Sequence, residues 1–380
     1  MPISRRKLLR QLGLSAVASA ALPSLRHSSV PVASPLPTSS VPAGVIRLDR
    51  NENAYGPSDV SLAAMRSALN LSNRYPSSEI DDLVNKIARL HGVKPEQVTL
   101  GAGSVEILRM AADAFLPRGK KLVLASPTFD AIARFAASSD ARIAAVPLTA
   151  TYSHDLEAML AQVDGSTGLI YICNPNNPTG TLTLRSDLET FLKKLPGNSP
   201  VVIDEAYHHY VNASSAYASF LDHTVDDQRL IIVRTFSKIY GLAGMRVGYA
   251  ICSPQHARTL SASHLAFGVN VLGARAAAAS LDDADHIRLS AKRNTDDRQE
   301  FFNQGNARMN RWIDSHTNFV MMKSGLPPQQ LMEHFKKNNI LLGPVIPQMP
   351  KYVRVSLGRP EEMLEFWRVW DALPPHPMAM

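Results

Sequence analysis

Cysteine is nearly absent: 380 residues contain only Cys173 and Cys252. Each closes an apolar run that reads as a strand, so two buried free thiols are expected rather than a disulfide or redox pair. Long hydrophobic runs are missing as well. The best stretch, Leu12 to Leu22, is too short to span a bilayer as a helix. There is no aromatic-basic stripe of the kind that binds nucleic acid, no internal repeat and no pattern that calls for a metal. The net charge of +7 is scattered rather than massed, which reads as solvated surface with a few arginines left for phosphate and carboxylate groups. What is present, 45% hydrophobic and 19% charged residues, is ordinary for a globular protein. The length suits one large domain and one small.

The N-terminus reads as a targeting segment. Arg5 and Arg6 precede the small-residue stretch to Leu22, and Ala18 and Ala20 offer a cleavage site. Twin arginines before mild hydrophobicity resemble a Tat signal, so residues 1–22 are expected to direct export. Residues 23–44, rich in Pro and Ser, read as a linker, and the folded part is expected from about Val45. Ser78 with Asp81 forms a capping-box pattern opening a helix with Ile80, Leu83, Val84, Ile87 and Leu90 on one face, closed by Gly92. Lys121–Ala125, Ile143–Leu148, Leu169–Cys173, Val201–Asp204, Leu230–Arg234 and Gly248–Cys252 read as buried strands alternating with helices. That predicts an α/β fold with a mainly parallel sheet covered on both faces. After about residue 275 the pattern changes to a long polar helix, then strands at Phe319–Lys323 and Tyr352–Leu357. The expected division is an N-terminal segment 45–70 packing with the small domain, a large domain 71–274 and a small α+β domain 275–380.

Several motifs fall at or just after strand ends, where open α/β sheets gather ligands. Asn177-Pro178-Thr179-Gly180 comes first, then Asp204-Glu205-Ala206-Tyr207, then Thr235-Phe236-Ser237-Lys238, with Arg246 eight residues after Lys238. A nearly buried Asp204 calls for a cationic partner. Gly101-Ala102-Gly103-Ser104-Val105 leads into a helix at Glu106–Phe115, placing backbone amides at a helix N-terminus that suit an anion. Arg354, on the strand Tyr352–Leu357, can grip a carboxylate with two parallel hydrogen bonds.

Taken together these motifs resemble the fold-type I pyridoxal-phosphate enzymes, specifically the class I/II aminotransferases. Arg47 to Pro57 and Arg74-Tyr75-Pro76 are similar to the histidinol-phosphate aminotransferase subgroup, and the resemblance spans about residues 45–372. It implies a pyridoxal 5'-phosphate cofactor held as an aldimine on Lys238, which then serves as proton carrier. Asp204 would pair with the pyridine nitrogen, while Asn177 and Tyr207 hold the phenolic oxygen. Phe129, where many relatives have Tyr, would face the ring. Gly103, Ser104, Val105, Thr235, Ser237 and Arg246 would cradle the phosphate. Tyr75 would reach the phosphate of a neighbouring subunit, implying a homodimer with shared sites. Arg354, Asn53 and Tyr55 are the expected substrate contacts. The implied reaction moves an amino group between an L-amino acid and a 2-oxo acid. Oxidation, decarboxylation or elimination on the same scaffold is the alternative. Two departures stand out: Ala54 replaces a usual Pro, and Gly343 stands where relatives often carry an arginine. No nucleic-acid partner and no membrane association of the mature chain are expected.

Overall fold

Residues 44–212, 216–221 and 227–373 are described by the structure, a computed structural model. The expected signal, the cleavage site and nearly all of the linker lie outside these residues. Among the described residues, no helix is long and apolar enough to cross a membrane.

The chain enters through β1 (Ile46–Leu48), then builds a seven-stranded sheet. Its strands are β2 (Val98–Gly101), β3 (Lys121–Ser126), β4 (Arg142–Pro147), β5 (Thr167–Cys173), β6 (Val201–Asp204), β7 (Leu230–Thr235) and β8 (Gly248–Cys252). They lie in the order β2-β8-β7-β6-β5-β3-β4. From β7 to β4 every pairing is parallel, whereas β8 runs antiparallel to both of its neighbours. Every residue of β6, β7 and β8 is buried, because helices cover both faces and no face needs polar residues. One core layer packs Ile107, Leu108 and Met110 of helix Ser104–Phe115 on the sheet. The opposite layer uses Leu188, Phe191 and Leu192 of helix Arg185–Lys194. Cys173 and Cys252 are buried and free, as their positions at strand ends suggested.

Three local expectations are corrected. β4 is not a buried strand: it pairs only with β3, forms the sheet edge, and leaves Ile143 40% exposed. Helix Ser77–His91 starts without the Ser78–Asp81 box. Pro76 stands at its N-cap with no side-chain bond, and Ser78 bonds the Glu79 carboxylate instead. Its face buries Leu83 and Ile87 and closes on Gly92 at φ +63, but Leu90 turns outward at 53% exposure. The boundary expected at 274/275 falls inside helix Val271–Ser280, whose Ala274, Ala276 and Ala277 pack in the core with Val98, Leu100 and Tyr249. The change of architecture therefore comes after Ser280.

The C-terminal part begins with the long helix Ala284–Ala307. Then follow β9 (Trp312–Ile313), β10 (Phe319–Lys323), β11 (Ile340–Leu342) and β12 (Tyr352–Ser356). β10 lies between β12 and β9, antiparallel to both. β11 pairs in parallel with β1, so the first described strand is built into the last third of the chain. Leu48 is fully buried there beside Val355, Leu357 and Trp367. Farther on, helix Asp59–Ser67 packs on helix Val271–Ser280.

Candidate active site

Parallel strands β5, β6 and β7 end on the same edge, and the polar motifs leave from that edge. Asp204, the last residue of β6, is 2% exposed. Its Oδ2 accepts from the Tyr171 hydroxyl at 2.9 Å and its Oδ1 from the Ala206 backbone N–H at 3.1 Å. Burial pushes its carboxyl up to about 6, opposed by those two bonds. No cation stands within ion-pair distance among the described residues, so the partner that burial calls for is not supplied by the chain itself.

The turn after β5 is held by Asn176, which donates to Pro127 O at 3.1 Å and Thr179 Oγ1 at 2.9 Å, and accepts from Thr128. These bonds tie the Asn177 turn to the segment carrying Phe129, whose half-buried ring packs against the core. Asn177 stands at a junction. Its Nδ2 donates to the Tyr207 hydroxyl at 3.4 Å, and its Oδ1 accepts from Arg354 Nη1 at 2.8 Å. Tyr207 also accepts from Asn51 Nδ2 at 3.1 Å, so its own proton is still available to a ligand.

Lys238 follows β7. Its Nζ donates to the carbonyls of Asn51 at 2.9 Å and Arg50 at 3.3 Å. Burial first, and the Arg354 charge second, lower its ammonium to about 8. Arg354 donates Nη2 to Asp49 O at 3.0 Å, while its buried Nε has no partner. Residues 49–53 thus form a strap across the site. Asn53 Nδ2 also donates to Ile239 O at 2.9 Å, and Gly241 (φ +68) lies so close that a Cβ would stand 2.3 Å from Gly56.

A second group gathers at the start of helix Ser104–Phe115. Arg246 donates to Ser237 Oγ at 3.2 Å and to Ala102 O at 3.4 Å, and Thr235 Oγ1 accepts from Ser237 N–H at 3.0 Å. Gly103 (φ +78) faces the guanidinium: a Cβ there would meet Arg246 Nη2 at 2.2 Å. Gly248 likewise permits the backbone of Ser104 to approach, at 2.4 Å from where its Cβ would be. Val105 packs its side chain on the core, leaving its backbone at the helix start.

The remaining candidates lie elsewhere. Tyr75 is 73% exposed and stacks on Phe267 at 4.2 Å, outside the Lys238 cluster of its own chain. The Tyr55 hydroxyl donates to Asp297 on the long helix at 2.9 Å, and the Asn53 amide is committed to the Lys238 loop. Both side chains fasten the strap, and neither bonds Arg354. Two residues were missed. Asn51, buried at φ +53, is fixed by Ser356 through bonds of 2.8 and 2.9 Å, and Tyr171 sits beneath Asp204. Asn51 lay within a recognised motif without being singled out, while Tyr171 is a lone polar group inside the buried run Leu169–Ile172.

The family model for aminotransferase class I and II matches residues 43–368. The chain belongs to this family. This aminotransferase is 38% identical over 324 residues to histidinol-phosphate aminotransferase 2 of Pseudomonas aeruginosa, covering 84% of this chain and 87% of that one. It is 34% identical to the histidinol-phosphate aminotransferase of Geobacillus thermodenitrificans over 84% and 87% of the two chains. The crystal structure of histidinol-phosphate aminotransferase from Sinorhizobium meliloti in complex with pyridoxal-5'-phosphate superposes with a TM-score of 0.80 at 26% identity. It covers 87% of this chain and 92% of that one. The aminotransferase therefore carries out pyridoxal-phosphate-dependent transamination. Its residues fit the cofactor on three independent counts. Asp204 is a buried carboxylate without a cation, Gly103 leaves room beside Arg246 that a Cβ would fill, and the Tyr207 hydroxyl keeps a proton to donate.

Proposed function

We propose that this aminotransferase works as an exported homodimer, moving an amino group between an L-amino acid and a 2-oxo acid. The observation that carries the reading is Lys238, a lysine lowered to about 8 beside Asn51, with Asn177, Tyr207 and Arg354 joined in the same hydrogen-bond network. Pyridoxal phosphate, when bound, supplies an electron-withdrawing ring that makes an α-proton of the amino acid removable. Asp204 would hold its ring nitrogen, Asn177 and Tyr207 its phenolic oxygen, and Phe129 would supply an aromatic face. Thr235, Ser237, Arg246 and the amides of Gly103, Ser104 and Val105 would hold its phosphate.

Lys238 then takes and returns the proton at the substrate α-carbon, a task suited to an amine whose basicity burial has brought near neutrality. Arg354 holds the α-carboxylate, with Asn177 and Asp49 fixing its guanidinium plane. The relatives' names specify a phosphorylated amino alcohol. Gly343 supports a carboxylate donor here instead. It adds no second cation, and a Cβ at that position would press on Arg354 Nε at 3.0 Å.

Two further parts of the proposal concern location and assembly. The exposed Tyr75–Phe267 stack supports a surface covered by a second copy, with Tyr75 completing the partner's phosphate site. Arg5 and Arg6 support export in the folded state. Screening L-amino acids and histidinol phosphate as donors, with and without a 2-oxo acid, tests the reaction. An α-amino acid should be consumed only when the acceptor is present. Turnover without acceptor, with ammonia released, would overturn the assignment. Light scattering should give twice the chain mass, and replacing Arg5 and Arg6 by Lys should retain the protein in the cytoplasm.

A further inference from the structure

Within the fully buried run Leu169–Ile172 of β5, Tyr171 alone carries a polar group, and a hydroxyl in that layer calls for an explanation. The side chain is fully buried in the core with Leu122, Val202 and Val233. A buried hydroxyl with no partner is costly, so phenylalanine would be the simpler filling. β5 and β6 pair in parallel with Tyr171 opposite Val202 and Cys173 opposite Asp204. Side chains two residues apart share a face, so Tyr171 and Asp204 project to the same side of the sheet. There the hydroxyl donates to Asp204 Oδ2 at 2.9 Å. Oδ1 is held separately by the Ala206 N–H, so the carboxylate is fixed at both oxygens and cannot rotate.

We infer that Tyr171 is a positioning residue of the cofactor site, holding Asp204 ionised and in one orientation from behind. The inference rests on the reading of Asp204 as the partner of the cofactor's ring nitrogen. Tyr171 can do this because it never competes for the proton. Burial and the Asp204 charge keep its phenol well above its ordinary value, so it stays a donor throughout the working pH range. Its bond is also the first of the interactions that hold the Asp204 carboxyl down against burial. The residue touches neither substrate nor reacting atoms, and its influence passes only through Asp204.

The test compares Tyr171→Phe, Asp204→Asn and Tyr249→Phe. Tyr249 is an equally buried tyrosine whose hydroxyl bonds His91 at 3.0 Å and also meets Arg234, so its variant removes core hydrogen bonding without removing a bond to Asp204. In cofactor-free protein, infrared difference spectra against Asp204→Asn report the protonation of Asp204 directly. Tyr171→Phe should move that midpoint upward and Tyr249→Phe should not. Titration with pyridoxal phosphate should show Tyr171→Phe binding about 10–100-fold more weakly, the loss of one hydrogen bond to a charged group. An unmoved Asp204 midpoint and unchanged affinity in Tyr171→Phe, with Asp204→Asn impaired, would overturn the inference alone. Equal shifts in Tyr171→Phe and Tyr249→Phe would reduce it to general core loosening and overturn it too. Unimpaired binding by Asp204→Asn would instead remove the underlying reading of Asp204.

Discussion

Without its cofactor the protein should lose stability as pH rises through the range in which Asp204 ionises. The folded state holds this carboxyl at about 6, against an ordinary value of 3.8, chiefly because burial penalises the charge. Between those two values the folded chain keeps a proton that the unfolded chain has released. Stability is therefore highest below pH 4, falls as pH rises, and levels off above pH 6. At about 1.4 kcal/mol per pH unit the loss amounts to about 3 kcal/mol, a large part of a typical folding free energy. The assay is urea unfolding of cofactor-free protein at a series of pH values, with Asp204→Asn as reference. The variant cannot titrate at this position, so only the difference between the two curves is read. Wild type should converge on or exceed the variant near pH 4 and fall relative to it by about 3 kcal/mol by pH 7. Parallel curves would refute the reasoning, since a carboxylate with no penalty in the folded state is not waiting for a cation. Saturating pyridoxal phosphate should flatten the difference if Asp204 receives the ring nitrogen.

The other expectations concern the remaining parts of the site. Lys238 is lowered from 10.5 to about 8, so the unfolded chain binds the extra proton between those values. Cofactor-free wild type should gain stability over that range relative to Lys238→Met, by about 3 kcal/mol in the same unfolding assay. Gly103→Ala places a methyl against Arg246 at a φ of +78, which should weaken pyridoxal phosphate binding at least about tenfold by absorbance titration. Unchanged affinity there would remove Arg246 from the phosphate cradle. Arg354→Lys cannot keep the bonds to both Asn177 Oδ1 and Asp49 O. It should raise KM for the amino donor about 10–100-fold, and an unchanged KM would send the carboxylate elsewhere.

The sequence was readable where local pattern and burial coincide. The apolar runs of β6 and β8 were located to the residue, because strands buried on both faces leave no polar alternation to mislead. β4 looked similar in composition, yet the sheet ends there, and nothing local says which strand lacks a second neighbour. β2 went unread because four residues carry little periodicity and its partner, β8, is about 150 positions away. The same reason hid the pairing of β1 with β11. Asp204 could be named because a carboxylate closing a buried apolar strand calls for a partner, and Lys238, Asn177 and Arg354 because the motifs that carry them resemble those of the aminotransferases. Tyr171 could not, since its significance lies wholly in a hydroxyl crossing from one strand to the next.

Because Lys238 donates to the carbonyls of Arg50 and Asn51, and Gly241 fits against Gly56, the strap is a structural part of the site. That sets a limit on trimming. Removal of residues ahead of Ile46 leaves β1 whole, but a cut between Leu48 and Gly56 would sever the strap that carries the carbonyls receiving the lysine. It also sets an order of assembly. The strap is among the first described segments to be synthesised, yet its partners Arg354 and Ser356 are among the last. The lysine's surroundings are therefore completed only when the chain is nearly finished, so a truncated product would lack the site however well its large sheet folds.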